Sequence, residues 1–217
     1  MQLEIFCNNK NQQEMKSNQT SNCNSSEINV FSIIKALVPA FPDTEIEKLI
    51  SFLTYREIQR NEYFIKADRV PKKIGFLCKG IVRYVYPDND GNEFVKGFMF
   101  GGSVLSSYTA MKEGTPSYYS IQALTTLNLF ELSYSDWIKV SASNAVWKDF
   151  LIAMLEMGYA VKVRRERELL LFDAESRYKI FKKEFGDYES ELKQHHIASY
   201  LGITPVALSR IRRKMNS

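Results

Sequence analysis

The segment from Gln194 to Ser217 holds the residues whose types and spacing could do chemistry, namely the binding of phosphates and base edges. From Thr204 onward it carries four cations and no acid. Gly202 can end a first helix because glycine tolerates a left-handed backbone, and Thr204 can cap a second helix that opens at Pro205. This order of signals predicts a helix-turn-helix that binds DNA.

Helical spacing separates an inner from an outer face in this pair of helices. The inward, apolar or small residues are Ile197, Ala198, Leu201, Leu208, Ile211 and Met215. The outward residues expected at base edges and phosphates are Thr204, Pro205, Val206, Ser209, Arg210 and Arg213. Of these, Val206, Ser209, Arg210 and Arg213 are expected to specify sequence, while Lys193, Arg212 and Lys214 hold phosphates. A surface hairpin with merely solvated charges is the alternative, and it leaves the apolar spacing unexplained.

Composition limits the other kinds of chemistry. The chain has 217 residues, 45% of them hydrophobic, with a net charge of +4 and a pI near 8.8, which leaves room for two modest domains. Three cysteines without CxxC pairing predict no disulfide framework, no metal site and no iron-sulfur cofactor, and fit a reducing compartment. Because no apolar run approaches the ~20 residues of a membrane span and no export signal opens the chain, we expect a cytoplasmic protein that neither spans nor binds a membrane.

An enzyme is one rival interpretation, because metal-dependent dioxygenases also use small β-barrels. Such a centre needs two or three histidines and a carboxylate that converge on a metal. The chain has two histidines, His195 and His196, which are adjacent at the start of the predicted helix-turn-helix and are expected to face solvent or a phosphate. We therefore expect no enzyme.

The composition and the hydrophobic pattern of the chain change along its length. Residues 1–26 are polar and predict a flexible extension. Residues 27–143 predict one domain, with short helices from Glu27 to Val38 and from Asp43 to Leu53 before a compact antiparallel β region. The candidate strands are Glu57 to Ile65, Lys73 to Cys78, Gly80 to Tyr86, Glu93 to Phe100, Tyr118 to Leu124 and Leu127 to Leu132.

Apolar residues at spacings of three and four predict one long helix over residues 144–173. Its seam consists of Trp147, Phe150, Met154, Met157 and Val161. A second apolar edge, at Leu151 and Leu155, lets such a helix pack on its own domain and on a second copy, so we expect a homodimer; the alternative is a helix wrapped on its own domain alone. The seam stops at Arg164, where mixed charges predict an exposed, salt-bridged hinge.

Residues 174–217 complete the chain as a second, helical domain. In this order of parts the sequence resembles the Crp/Fnr family of bacterial transcription regulators, above all short members from Bacteroidetes-like bacteria. The resemblance covers residues 28–217 and is most specific in DAESRY (Asp173 to Tyr178) and IASYLGITPVALSRIRRKM (Ile197 to Met215).

The resemblance implies an α+β fold. Its parts would be a cyclic-nucleotide-binding-like β-roll of the jelly-roll kind, a dimerisation helix and a winged-helix-like DNA-binding domain, although the end at Ser217 leaves no trailing wing strand. It also implies a homodimer that places two recognition helices on a roughly palindromic operator, with Arg210 on a guanine.

Two departures from the family concern the ligand pocket. In members that bind cyclic nucleotides, a Gly-Glu-Leu turn and an Arg-Ser or Arg-Thr pair hold the sugar and phosphate. Ser106 and Ser107 stand at the first place, Ser117 and Tyr118 at the second. Without the arginine we expect no tight binding of cyclic AMP. The candidate lining for another small-molecule effector is Phe98, Ser106, Ser107, Ser117, Tyr118 and Tyr119; the alternative is that these residues simply fill the roll.

The expected partners follow from these features. They are double-stranded DNA, a second copy of the chain and an unknown effector, with RNA polymerase as a further candidate. A signal on the β domain would bias the angle between the two long helices and so the spacing of the recognition helices. A ligand-binding module that regulates a partner protein without touching DNA is the last alternative, and the terminal motif argues against it.

Overall fold

A computed structural model describes residues 25–216. Helices α1 (Ser25–Leu37) and α2 (Asp43–Ile50) come first. The strands are β1 (Thr54–Ile58), β2 (Tyr63–Ile65), β3 (Lys73–Lys79), β4 (Ile81–Pro87), β5 (Glu93–Phe100), β6 (Ser103–Leu105), β7 (Ser120–Ala123) and β8 (Leu127–Ser133). The other helices are α3 (Tyr108–Glu113), α4 (Tyr134–Ser143), α5 (Val146–Leu171), α6 (Ala174–Phe185), a 3-10 turn (Gly186–Glu191), α7 (Gln194–Leu201) and α8 (Pro205–Asn216). Nearly all of the predicted extension, residues 1–24, lies outside the described residues.

The strands form two four-stranded sheets, in the orders β1-β8-β3-β6 and β2-β7-β4-β5. Every pairing is antiparallel, with Phe76 opposite Phe130 in the first sheet and Tyr84 opposite Gly97 in the second. The two sheets enclose an apolar interior that includes fully buried Leu77. The predicted antiparallel β domain is confirmed as a two-sheet roll.

Three details of the strand prediction are wrong. The run from Glu57 to Ile65 is two strands in different sheets, because Asn61 takes a positive φ of 71° and the Glu62 carboxylate accepts a bond from the Gln59 amide. The seventh strand begins at Ser120 rather than Tyr118. Strand β6 and helices α3 and α4 were not predicted.

An aromatic cluster joins the long helix to its own domain. Trp147 lies edge-on to Phe41 with ring centroids 4.6 Å apart, and its indole nitrogen donates to the Glu45 carboxylate at 3.2 Å. Trp147 and Phe150 are 0% and 1% exposed. They therefore lie in the core of the protomer and not on a free seam, which corrects the prediction for these two residues.

The bounds of the long helix also differ slightly from the prediction. It begins at Val146, because Asn144 takes an extended backbone conformation that separates α4 from α5. It ends at Leu171, where Phe172 leaves the helical conformation.

The C-terminal helices pack on the outer face of the second sheet. Phe98 of β5 contacts the rings of Phe181, Phe185 and Tyr200, at centroid distances from 5.5 to 6.5 Å. The Val95 amide donates to the Ser199 hydroxyl of α7 at 2.9 Å. One edge of the sheet is thereby covered by the first helix of the helix-turn-helix.

Two residues of the charged stretch at the end of α5, Arg165 and Glu168, are buried, contrary to the prediction of an exposed hinge, whereas Glu166 and Arg167 are exposed as predicted. Arg165 and Glu168 are 9% and 3% exposed and pair at 2.7 Å. Arg165 also donates to the carbonyl of Tyr200 at 2.5 Å, and its guanidinium lies 3.8 Å from the centre of that ring. Arg164 pairs with Glu184 of α6. These groups lie where α5 meets the C-terminal domain, so their charges link the two.

Candidate nucleic-acid interface

The turn between α7 and α8 has the predicted geometry. Gly202 has a φ of 66°, which a residue with a side chain rarely adopts, and the next amide, at Ile203, bonds to the Ala198 carbonyl at 3.0 Å. The Ala207 amide donates to the Thr204 hydroxyl at 3.2 Å, so Thr204 caps α8 as predicted. The helix-turn-helix prediction is therefore confirmed at the level of its backbone.

The inner face of the pair is also as predicted. Ile197, Ala198, Leu201 and Leu208 are 0% exposed, and Ile211 and Met215 pack partly buried against them. Because these apolar contacts fix the crossing of α7 and α8, the outer face of α8 is held in one orientation.

The outer face of α8 projects into solvent. Its exposed residues are Thr204, Pro205, Val206, Ser209, Arg210, Arg213 and Lys214. Arg210 has no acidic partner anywhere in residues 25–216. Its guanidinium is thus available for two parallel bonds to one acceptor edge, while Val206, 61% exposed, offers an apolar contact beside it.

Two of the cations predicted to hold phosphates behave differently from each other. Arg212 is turned inward, where it pairs with Glu189 at 2.6 Å and donates to the Tyr178 hydroxyl at 3.1 Å, so it has a structural role, and its contact with a phosphate stays a prediction. Lys214 pairs with Glu175 at 2.6 Å, which raises the pKa of its ammonium. Its side chain is 73% exposed, so exchange of that carboxylate for a phosphate needs no unpacking. Lys193 is exposed.

Gln194 contributes a contact that sequence reasoning missed. Its side-chain amide donates to the Pro205 carbonyl at 2.8 Å and to the Ser209 hydroxyl at 2.6 Å. The start of α7 is therefore fixed to the first turn of α8. A polar residue one turn before the inward stripe is the only sequence signal for such a contact.

The two histidines differ from the prediction that both face solvent or a phosphate. His195 is exposed, but His196 is only 7% exposed and its Nδ1 has no hydrogen-bond partner. Burial and the nearby charges of Arg83, His195, Lys193 and Arg60 lower the pKa of His196 to about 3. The imidazole is therefore neutral in the docked arrangement.

Four of the six candidate pocket residues lie together inside the roll. The hydroxyls of Ser107 and Ser117 are 3.0 Å apart, Ser117 also donates to the Tyr119 carbonyl, and the Tyr119 hydroxyl donates to the Ser106 carbonyl at 3.0 Å. The Ser106 hydroxyl is buried without a partner. These residues bond to one another, as expected for side chains that fill the roll.

The other two candidates do not join this group. Tyr118 is 83% exposed and points away from the interior. Phe98 lies on the opposite face of the sheet, where it packs on the C-terminal helices. The alternation of side chains along β5 places Phe98 outside and Met99 inside, and the sequence did not reveal which face would be inner.

Residues 25–216 contain no group of three or more histidine, cysteine or carboxylate side chains placed to hold a metal ion. No helix in this part of the chain is long and apolar enough to cross a membrane.

Comparison with known proteins identifies the fold. No family model matches the chain, and no curated protein does. Among solved structures, the chain is similar to FixK2 from Bradyrhizobium japonicum (TM-score 0.65, 18% identity, 76% of this chain and 84% of that one). It is similar to CLP, a c-di-GMP-responsive global regulator from Xanthomonas campestris (TM-score 0.66, 15% identity, 81% and 92%). A protein from Eubacterium rectale, described as a transcriptional regulator of the Crp/Fnr family, gives a TM-score of 0.66 at 11% identity over 83% and 86%.

The chain has the Crp/Fnr fold. Its two-sheet roll is the cyclic-nucleotide-binding-like domain of that fold, α5 is its long connecting helix, and α7 and α8 are its helix-turn-helix. CLP is described as a global regulator, and the Eubacterium rectale protein as a transcriptional regulator.

Proposed function

We propose that the protein is a dimeric, sequence-specific, DNA-binding transcriptional regulator of the Crp/Fnr type whose sensor domain does not bind cyclic AMP. The observation that carries the proposal is the outer face of α8, where Arg210 is exposed without an acidic partner on a helix held rigidly by its inner face. A recognition helix needs both properties, because base readout requires free donors in a fixed orientation.

In this proposal the residues of the interface divide into two roles. Arg210 reads a guanine through two parallel hydrogen bonds, and Val206, Ser209 and Arg213 contact the neighbouring base pairs. Lys193 and Lys214, at the ends of the two helices, neutralise phosphates and set the register. Arg212 supports them from within, since its guanidinium holds the 3-10 turn against α8 through Glu189.

The test is binding to operators selected from random duplex DNA, measured by fluorescence anisotropy. Arg210→Ala should relax the preference at one base pair in each half-site and weaken binding by about 1–3 kcal/mol. Lys182→Ala, an exposed cation on α6, is the matched control. Affinity should fall as salt rises, because phosphate contacts release counterions. Unchanged sequence preference in Arg210→Ala would refute the role of that arginine.

The dimer surface proposed here is an exposed apolar stripe on α5. It consists of Ile152, Leu155, Tyr159, Val163 and Leu170, which are between 44% and 74% exposed. At about 100° per residue these side chains fall within about 80° of one another around the helix. The predicted seam lies on roughly the opposite side, where Trp147 and Phe150 meet their own domain. The stripe therefore replaces the seam as the face expected to meet a second copy.

Sedimentation of two variants separates these faces. Leu155→Asp places a charge on the stripe and should give a monomer, because an unpaired carboxylate would be buried in the dimer. Val161 lies on the opposite side of the helix and is 43% exposed, close to the 44% of Leu155. The Val161→Asp variant should therefore remain a dimer. A monomer from Val161→Asp and a dimer from Leu155→Asp would restore the predicted seam.

The expected lack of cyclic AMP binding follows from Ser117, which stands where an arginine would be needed to bind the cyclic phosphate. Ser117 is 1% exposed and its hydroxyl is already bonded to Ser107 and to the Tyr119 carbonyl. Ser117 itself therefore offers no charge to a cyclic phosphate. Calorimetry with cyclic AMP should give no heat of binding in the micromolar range, and a micromolar dissociation constant would contradict this part of the proposal.

A further inference from the structure

A groove on the β-roll, remote from the helix-turn-helix, carries an uncompensated positive charge. It has a volume of about 340 Å³ and lies along β2 and the loop from Lys66 to Lys72 that leads to β3. Four cations line it, Lys66, Arg69, Lys72 and Lys73, and no carboxylate does. No part of the proposed DNA-binding function uses this groove.

Three of the four charges are free to meet a ligand. Lys73 is neutralised by Glu131 at 2.5 Å. Lys66, Arg69 and Lys72 are exposed and have no acidic partner within residues 25–216. The Lys66 ammonium lies 5.2 Å from the centre of the Tyr63 ring, so an aromatic wall stands beside it.

The loop that carries these charges is held in place by backbone bonds to the rest of the roll. The Asp68 amide donates to the Ser117 carbonyl at 2.9 Å, and the Ser117 amide donates to the Arg69 carbonyl at 3.0 Å. The Ala67 amide donates to the Ser120 hydroxyl at 2.9 Å. At the other end, the Lys72 carbonyl accepts a bond from Tyr134 at 2.8 Å. The backbone that carries these charges therefore needs no ordering when a ligand binds, and the entropic cost is limited to the exposed side chains.

The groove belongs to a surface separate from the DNA-binding helices. In the sheet order β2-β7-β4-β5, α7 is hydrogen-bonded to β5 and also faces Arg60 in the turn before β2, whereas the four cations of the groove follow β2 in the chain, at the opposite edge from β5. Three strand spacings, about 14 Å, separate the two edges. The cations of the groove are therefore not an extension of the recognition helix.

The groove also continues past Lys72. A neighbouring groove of about 330 Å³ shares Lys72 and Lys73 and leads to Phe52, which is 40% exposed. Two carboxylates also line this second groove, Glu131 and Asp136, and they are already paired with Lys73 and Lys139. Val70, 41% exposed, lines the first groove. A track of two joined grooves with apolar side chains between the charges exceeds the size of a small ion and suits an extended chain with alternating acidic and apolar residues.

We propose that this track docks an acidic, extended segment of a partner protein, with carboxylates on Lys66, Arg69 and Lys72 and apolar side chains against Val70 and Phe52. Charge complementarity favours an acidic partner, and the length of the track favours a peptide over a free anion. The DNA-binding face remains open while this surface is occupied.

The probe is a fluorescein-labelled peptide of alternating glutamate and leucine, titrated with the full chain at low salt. The triple variant Lys66→Gln/Arg69→Gln/Lys72→Gln should bind it about ten-fold more weakly than the parent, and the difference should shrink at high salt. The matched control is Lys112→Gln/Lys148→Gln/Lys182→Gln, which removes the same charge at exposed positions elsewhere and should stay within about two-fold of the parent. Circular dichroism establishes that both variants are folded.

Carbodiimide coupling of the same peptide, mapped by mass spectrometry, gives a second readout. Amide links at Lys66 or Lys72 in preference to Lys112 and Lys148 support the proposal. An equal loss of affinity in the two triple variants, or links spread evenly over surface lysines, overturns it. Displacement of the peptide by millimolar inorganic phosphate at unchanged ionic strength overturns it as well, because the site would then be one for a small anion.

Discussion

His196 links the stability of the docked C-terminal domain to pH. Its ring is 7% exposed, its Nδ1 lacks a partner, and the charges that face it from β4, α7 and the β1–β2 turn are those of Arg83, Lys193, His195 and Arg60. Burial, the largest cause, and these cations lower its pKa from 6.5 to about 3. The folded state thus binds fewer protons than the unfolded state below pH 6.5. The stabilisation is complete above pH 6.5 and is lost as the pH falls toward 3.

The size of the effect follows from the two pKa values. The pKa of the histidine in the unfolded chain lies about 1.5 units above pH 5, and each unit lowers the free energy of unfolding by about 1.4 kcal/mol. The free energy of unfolding at pH 5 is therefore about 2 kcal/mol lower than at pH 8. A folded-state pKa one unit higher changes this figure little, because pH 5 still lies above it. The prediction therefore rests on the burial of the ring and not on the last unit of its pKa.

Urea unfolding of the full chain, followed by circular dichroism at pH 5 and pH 8, measures this effect. From pH 8 to pH 5, the free energy of unfolding of the parent should fall by about 2 kcal/mol more than that of His196→Gln. Other groups, such as Glu184, whose burial raises its pKa, act equally in both proteins and cancel in the difference. His195→Gln, an exposed neighbour, is the control and should follow the parent. Identical pH dependence in the parent and His196→Gln would refute the reasoning.

Three further predictions concern contacts at the junction of the domains, the turn and the roll. Arg165→Leu should lower the free energy of urea unfolding by about 2–3 kcal/mol, because buried Glu168 keeps only the more distant Arg164, at 3.6 Å, as a partner, and Arg165→Leu/Glu168→Leu should recover most of the loss; no recovery would mean that the pair is not the cause. Gly202→Ala should lower stability by about 1–2 kcal/mol in thermal unfolding, because its φ of 66° strains alanine, and an unchanged midpoint would contradict this. Ser107→Ala should cost about 1 kcal/mol in the same assay, since the Ser117 hydroxyl retains its bond to the Tyr119 carbonyl; a cost of several kcal/mol would mean that the network depends on Ser107.

The helix-turn-helix was predictable from sequence because its signals are local. Gly202, Thr204 and Pro205 each act within one turn of the chain, and the structure uses the first two as predicted. Which face of the long helix belongs to the core of the protomer was not predictable in the same way. Periodicity shows that Trp147 and Phe150 lie on one face of α5, but α5 also has a second apolar face. Only the position of Phe41, a hundred residues away in sequence, decides which side is core.

The exposure of two charged residues on the long helix was also predicted wrongly from the sequence. Arg165 and Glu168 were expected in solvent because mixed charges usually are. A signal was nonetheless present, since both continue the three-and-four spacing that begins at Trp147 and Phe150. Opposite charges at seam positions predict a buried pair. His196 offers no such signal, because its burial depends on the docking of two domains that are distant in sequence.

The first helix of the helix-turn-helix, α7, is held by hydrogen bonds at its C-terminal end. Arg165 of α5 and Arg177 of α6 donate to the carbonyls of Tyr200 and Leu201, the last two residues of α7. Ser199, one residue earlier, is bonded to β5. Because α7 shares a buried core with α8, we infer that any shift of β5 or rotation of α5 about its exposed stripe moves the recognition helix as a unit. In a dimer the distance between the two copies of Arg210 would then follow from the angle between the two α5 helices, which gives a signal on the roll a direct route to operator choice.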